Sequence, residues 1–129
     1  MSAIQGAAIA QDLPKGQKAN PATQADIITY TNMGGYNSCI LMTKLDQPAA
    51  KAVEVSAAMM SSVLLQKHGG IVPEDTSAKS PQQLTRGSAI YIILAIKEIC
   101  FNQLNKANQE FIATNAASIE SLTKKNEKK

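Results

Sequence analysis

The chain has 129 residues, enough for one domain at most, and is 44% apolar but only 4% aromatic, with no Trp. Its net charge of +3 is confined to residues 124–129, because the remaining chain has 13 − 4 = 9 basic and 10 − 1 = 9 acidic residues. One arginine and few aromatic residues argue against a nucleic-acid-binding surface. A neutral body permits close self-association.

Residues 1–20 lack sustained periodicity and are expected to form a flexible arm. Asn20 followed by Pro21 has the form of a helix N-cap and first helical residue, so a helix is expected to begin there. The β-branched stretch IITYT leaves a short strand as an alternative. Gly34 and Gly35 are expected to interrupt or kink this element.

The next segment, residues 48–68, is rich in helix formers and is followed by Gly69 and Gly70, a typical C-terminal stop. It is therefore predicted to be a helix, followed by a polar loop over residues 69–80. His68 is expected to place its imidazole at the negative end of this helix.

A third helix begins at the sequence SPQQ, where Ser80 and Gln83 have the form of a capping box. Because no proline follows Pro81, a single helix is predicted over residues 81–123, before a basic tail at 124–129. It would be roughly 65 Å long, whereas a domain of this size is about 36 Å across. The predicted fold is all-α, with two or three helices, and extended rather than compact.

The run AIYIILAIKEICF, residues 89–101, is the most apolar part of the chain. It is shorter than the roughly 20 residues that span a membrane, and Lys97 and Glu98 interrupt it. A transmembrane segment is therefore not expected. A helix that is apolar on every side needs several neighbouring helices, and other copies of the chain are expected to supply them.

Along one side of the predicted long helix, the spacing between successive residues alternates between four and three, as in a helical bundle or coiled coil. Two asparagines in this pattern would penalise wrong registers, because a buried amide must meet another polar group. The predicted assembly interface comprises Ile90, Ile93, Leu94, Ile96, Phe101, Leu104, Asn108, Phe111 and Asn115. The alternative is a helix whose far half is simply solvated.

Cys39 and Cys100 fit no metal-binding spacing and are expected to pack as small apolar side chains. A disulfide within or between chains is a less favoured alternative. The first residues lack the basic start and apolar run of a signal peptide. Together with reduced thiols, this favours a cytoplasmic protein.

No motif for nucleophilic catalysis, metal-dependent hydrolysis or phosphate binding is present in the sequence. The protein is therefore predicted not to be an enzyme, and to use no cofactor or metal.

Several short elements resemble the small refractile-body (Reb, "killing trait") proteins of bacteria, which are helical and polymerise into coiled ribbons. They lie between residues 87 and 122: Ala89-Ile90-Tyr91, Asn102-Gln103, Asn108-Gln109, Thr114-Asn115-Ala116-Ala117 and the helix end at Leu122. The resemblance implies a ribbon subunit that assembles with copies of itself and sister subunits. It also implies ribbons that unroll in acid, for which the candidate pH-sensitive residues are Glu54, Glu98 and Glu110.

These observations favour a structural subunit that self-assembles into a ribbon or filament. The alternative is a small helical partner-binding module, such as a secretion chaperone or adaptor, that docks a different protein.

Overall fold

A computed structural model describes residues 20–127, and this part of the chain contains helices and no β-strand, which confirms the predicted all-α class. Its four α-helices are α1 (Gln24–Lys44), α2 (Ala49–His68), α3 (Pro81–Ile99) and α4 (Lys106–Glu127), with a 3-10 turn at Phe101–Gln103. The stretch IITYT is helical and lies in α1. The predicted flexible arm falls outside the described residues, apart from Asn20.

Helix α1 begins three residues later than predicted. Thr23 is the N-cap: its hydroxyl accepts a hydrogen bond from the Asp26 N–H (3.1 Å), and the Asp26 carboxylate accepts one from the Thr23 N–H (2.9 Å). This reciprocal capping box satisfies two backbone donors at once, so the helix starts here and not at Asn20 and Pro21.

The predicted interruption at Gly34 and Gly35 is wrong, because α1 continues through both residues. Instead, the two glycines allow α3 to pack very close to α1. A Cβ atom at Gly34 would lie 2.7 Å from Cδ1 of Ile92, and one at Gly35 would lie 2.9 Å from both Ala95 Cβ and Ile99 Cδ1. Real side chains do not approach so closely, so this contact requires glycine.

Helix α2 ends as its sequence predicts. Gly69 takes the left-handed conformation (φ 62°), and the N–H groups of Gly69 and Gly70 donate to the Leu65 and Leu64 carbonyls. Residues 69–80 form the connection to α3. The Ile71 carbonyl in this loop accepts a hydrogen bond from the Ala22 N–H (3.0 Å), which fixes the loop to the segment before α1.

The single helix predicted over residues 81–123 is two helices. The capping box at Ser80 and Gln83 is present, but the helix ends at Ile99. After the 3-10 turn, the Asn105 side chain accepts a hydrogen bond from the Asn108 N–H (2.8 Å) in the first turn of α4. Helix α4 then packs back against α3, so the extended shape does not form.

The apolar run is covered by the chain itself. Helices α1, α2 and α3 each pack against the other two, and Ile92 and Ile96 are completely buried between them, with Ile93 nearly so. The prediction that other copies cover this part of the run was therefore wrong. Within residues 20–127, no helix is both long enough and apolar enough to cross a membrane.

Helix α4 covers a smaller part of the core. Its residues Ile112 and Ala116 are completely buried, mainly against α3, and Lys97 of α3 forms an ion pair with Glu120 (3.1 Å). Residues 120–126 are all exposed. The predicted basic tail is in part helical, since Lys124 and Lys125 belong to α4.

The two cysteines form a disulfide, contrary to the expectation that they pack as free thiols. It joins α1 at Cys39 to the end of α3 at Cys100, with a Cα–Cα distance of 6.2 Å, and both residues are buried. The two positions are 61 residues apart in sequence and meet only because α1 and α3 pack closely.

Gly34→Ala and Gly87→Ala should have opposite effects on stability. At Gly34 the added methyl must displace Ile92, which should lower the free energy of unfolding by about 1–3 kcal/mol. At Gly87 it meets no atom within 4 Å, so alanine should raise this free energy by up to about 1 kcal/mol through helix propensity alone. Urea titrations of both variants measure the effects, and equal effects would contradict the close α1–α3 contact.

Removing the disulfide should strongly lower the free energy of unfolding. For a loop closed over 61 residues, chain entropy predicts a loss of about 4 kcal/mol in the double variant Cys39→Ala/Cys100→Ala. Urea unfolding of this variant, beside wild-type protein with and without reductant, tests the prediction. A midpoint unaffected by reductant in the wild type would show that the bond contributes nothing.

Candidate functional site

The outer surface of α1 carries no charge over most of its length. No residue from 27 to 43 is charged, although this stretch includes exposed turns of the helix. Several large apolar side chains point outward from it, including Met33, which is 65% exposed, and also Ile28, Tyr36 and Ile40. A solvent-facing helix surface normally carries charged residues, so this surface is not typical of one that stays in water.

Helix α2 extends this surface. The side chains of Met59 and Val63 are also exposed, and together with α1 they line a groove of about 660 Å³ between the two helices. We call the exposed apolar side chains that line this groove the α1–α2 face: Met33, Tyr36, Ile40, Met59 and Val63.

A buried polar contact holds the two helices together beneath this face. The Ser38 hydroxyl lies 2.8 Å from the Ser56 hydroxyl and 3.3 Å from the Ala52 carbonyl oxygen, and the Asn37 amide donates to Ser56 (3.0 Å). Ser38, Ala52 and Ser56 are small, so the helix backbones approach closely. The apolar side chains of the α1–α2 face therefore extend from a fixed platform.

Among residues 20–127, the charged residues near the α1–α2 face lie only at its two ends. Lys44, Lys51 and Glu54 are near one end, where α1 ends and α2 begins, and Asp26 and Lys67 are near the other. The face is thus a neutral apolar centre between charged ends. This arrangement suits a contact that excludes water in the middle and leaves ionic groups at the rim.

The charged end near Asp26 contains a buried hydrogen-bonded histidine. The Nδ1 of His68 lies 2.6 Å from the Asn20 carbonyl oxygen, and its Nε2 lies 2.7 Å from the Tyr30 hydroxyl. If Nδ1 donates to the carbonyl, Nε2 of the neutral ring accepts from Tyr30. His68 lies at the end of α2 as expected, and its ring links this end to α1 and to the segment before it.

Two pKa values near this histidine are shifted by identifiable contacts. Burial, reinforced by the negative charge of Asp26, raises the pKa of Tyr30 above its ordinary value. The backbone N–H of Thr23 lowers the pKa of Asp26. A tyrosine held in its neutral form is suited to hydrogen bonding, and we assign this group of residues to anchoring α1 on α2. Among residues 20–127 no cluster of His, Cys, Asp and Glu could hold a metal ion.

The structure buries four of the nine residues of the predicted assembly interface inside the chain. Ile93, Ile96, Leu104 and Asn108 are buried, whereas Leu94, Phe101, Phe111 and Asn115 are half-buried and Ile90 is partly exposed. These residues do not form one exposed stripe, because the break between α3 and α4 divides them. The α1–α2 face was not identified from the sequence, although the uncharged stretch at 27–43 was a visible signal for it.

The two asparagines of the predicted four-and-three pattern, Asn108 and Asn115, make hydrogen bonds within the chain. The Asn108 carbonyl oxygen accepts a hydrogen bond from the Ala49 N–H (2.8 Å), and its amide donates to the Gln47 carbonyl (3.3 Å). It thus caps the start of α2, where Pro48 offers no side-chain cap. Asn115 donates to the Phe111 carbonyl within its own helix (2.8 Å). Neither contact selects a register between copies.

The three carboxylates expected to be pH-sensitive are not brought together. Glu54 lies on α2, Glu98 on α3 and Glu110 on α4, and all three are exposed. None of them forms a salt bridge with another residue of the described region, 20–127.

The chain belongs to a family described as a domain of unknown function (DUF8650), whose model matches residues 25–129. The matched segment includes all four helices except the first residue of α1, and it therefore contains the whole α1–α2 face. No curated protein and no solved structure matches the chain.

Asn108→Leu should destabilise the protein, whereas Asn115→Leu should have little effect. The first substitution leaves the buried Ala49 N–H without its acceptor, which costs about 1–3 kcal/mol. The second removes only a bond to a carbonyl of the same helix, at a half-buried position. Thermal melts of the two variants compare them, and a more stable Asn108→Leu protein would argue against the capping role.

Proposed function

We propose that this protein is a non-enzymatic structural subunit that associates with copies of itself through the α1–α2 face. The observation that carries the proposal is the exposure of five large apolar side chains on two helices with no charge between them. Contiguous exposed apolar surface of this kind commonly marks a contact site.

The dimensions of the face suit a contact between proteins. Helices of 21 and 20 residues are each about 30 Å long, and side by side they are about 20 Å wide. Such a strip covers on the order of 600 Å², close to the roughly 800 Å² that each partner buries in a stable interface.

Charge supports a second copy as the occupant. Two neutral faces meet without electrostatic repulsion, and the body of the chain has equal numbers of basic and acidic residues. When the two-fold axis is perpendicular to α2, the α2 helices of the two copies run in opposite directions. This brings Glu54, near the start of α2 in one copy, towards Lys67, near its end in the other.

A ribbon, as the refractile-body resemblance implies, requires a second contact as well, because a two-fold contact alone closes at a dimer. In this extension of the proposal, dimers formed through the α1–α2 face are the building unit. Copies or sister subunits supply the second contact.

The alternative function is a binding module for a helix of another protein. Its support is the methionine content of the groove, to which Met33, Met59 and Met60 contribute. Methionine side chains adapt to differently shaped partners, and a groove between two helices is a common site for an amphipathic helix.

We also propose an oxidising compartment in place of the cytoplasm expected from the sequence. That expectation relied on reduced thiols, whereas Cys39 and Cys100 are joined. Structural disulfides persist in secreted and periplasmic proteins and are rare in the cytosol.

The test of self-association compares two matched substitutions by sedimentation equilibrium. Met33→Lys adds one charge to the centre of the α1–α2 face at a residue 65% exposed, and Leu122→Lys adds one to α4 at a residue 62% exposed. The wild type and Leu122→Lys should form dimers or larger species, and Met33→Lys should be monomeric. Leu122→Lys should melt like the wild type, whereas Met33→Lys should match the wild type only at concentrations low enough to dissociate it, because association itself stabilises the fold.

A wild-type monomer at about 100 µM, well above the Kd of a micromolar dimer, would overturn self-association. Binding of an amphipathic helical peptide to that monomer, lost in Met33→Lys and kept in Leu122→Lys, would then support the alternative. Equal dissociation by both lysine substitutions would show that the contact lies elsewhere.

A further inference from the structure

A second cavity of about 380 Å³ lies between α3, the loop at 69–80 and the adjacent sides of α1 and α2. This volume is within the range of sites for small molecules. Most of its wall is apolar and is formed by Ile27, Met60, Leu64, Val72, Leu84 and Tyr91.

One buried polar group in the wall of this cavity, the hydroxyl of Ser88, is without a hydrogen-bond partner within residues 20–127. Ser88 is 2% exposed. Leaving a hydroxyl buried without a partner is costly. By contrast, the buried hydroxyls of Ser38 and Ser56 are paired with each other.

The neighbouring glycine is also not explained by packing. Gly87 lines the same cavity in the interior of α3, where glycine is among the least favourable residues for a helix. Unlike Gly34 and Gly35, it is not forced by a close helix contact, since a Cβ atom there would meet nothing within 4 Å. Its effect is to leave open space beside Ser88.

The two charged residues that line the cavity, Lys79 and Glu74, each have a partner within the chain. Lys79 pairs with Asp75 (2.8 Å), and Glu74 accepts a hydrogen bond from the Tyr91 hydroxyl (3.2 Å). The backbone N–H of Lys79 also donates to the Gly70 carbonyl (3.0 Å), which joins the two ends of the loop at 69–80. No positive charge in the cavity wall is therefore left over to bind an anionic ligand.

We propose that this cavity binds a small neutral molecule that is mainly apolar and carries one hydroxyl or carbonyl group, which hydrogen-bonds to Ser88. The unpaired hydroxyl and the open space at Gly87 are both accounted for by such a ligand. The site is separate from the α1–α2 face and does not depend on self-association.

The experiment uses two probes that differ in one hydroxyl, 4-propylphenol and propylbenzene. Methyl NMR spectra of the full chain are recorded during titration with each. The methyl signals of Leu84 and Val72, which line the cavity, should shift, and that of Met33, on the α1–α2 face, should not. The phenol should bind roughly five- to tenfold more tightly than propylbenzene, as expected for one neutral hydrogen bond.

Two variants locate the binding. Ser88→Ala should reduce the affinity for 4-propylphenol to that for propylbenzene, while propylbenzene itself binds as before. Gly87→Leu should place a side chain in the open space and abolish binding of both probes, and an unchanged thermal melt shows that it folds.

Three outcomes would overturn the proposal. They are no shift of the Leu84 and Val72 signals at millimolar probe, equal affinity of the wild type for the two probes, and unchanged binding in a folded Gly87→Leu protein.

Discussion

The close contact between α1 and α3 is the constraint on which the rest of the structure depends. Gly34 and Gly35 remove the side chains that would hold the two helices apart, and Ile92 of α3 fills the space. This contact brings Cys39 within bonding distance of Cys100, and the disulfide then links the two helices covalently. With α1 and α3 joined, α2 completes a three-helix core that buries the most apolar segment of the chain.

Because that segment is buried within the chain, most of the large apolar side chains that stay exposed lie on the first two helices. The α1–α2 face is formed by residues that alternate with core residues along the same helices, so Met59 is exposed while Met60 is buried. The hydroxyl contact between Ser38 and Ser56 keeps the backbones close and fixed. The buried sides of these two helices therefore stabilise the fold, while their exposed apolar sides form the α1–α2 face, so a substitution on the face can leave the core unchanged.

Local signals in the sequence were sufficient for part of this structure. The all-helical class, the end of α2 at two glycines and the capping box at Ser80 follow from residues within one or two turns of each other. The break after Ile99 was missed because the absence of proline after Pro81 was taken to indicate one continuous helix, and Asn105 was not recognised as the residue that caps the start of α4. The disulfide and the α1–α2 face depend on which helices become neighbours, and local periodicity does not specify this.

The position of the disulfide has a mechanical consequence. It closes residues 39–100 into a covalent ring that contains α2, the loop and α3, while most of α1 and all of α4 lie outside. A force applied to the two chain ends passes directly through the sulfur–sulfur bond, so the ring carries no load. Because the disulfide prevents these 61 residues from extending, the fully stretched chain is about 200 Å shorter than a chain without the disulfide. Under tension, only the residues outside the ring can extend, and these include most of α1 and all of α4.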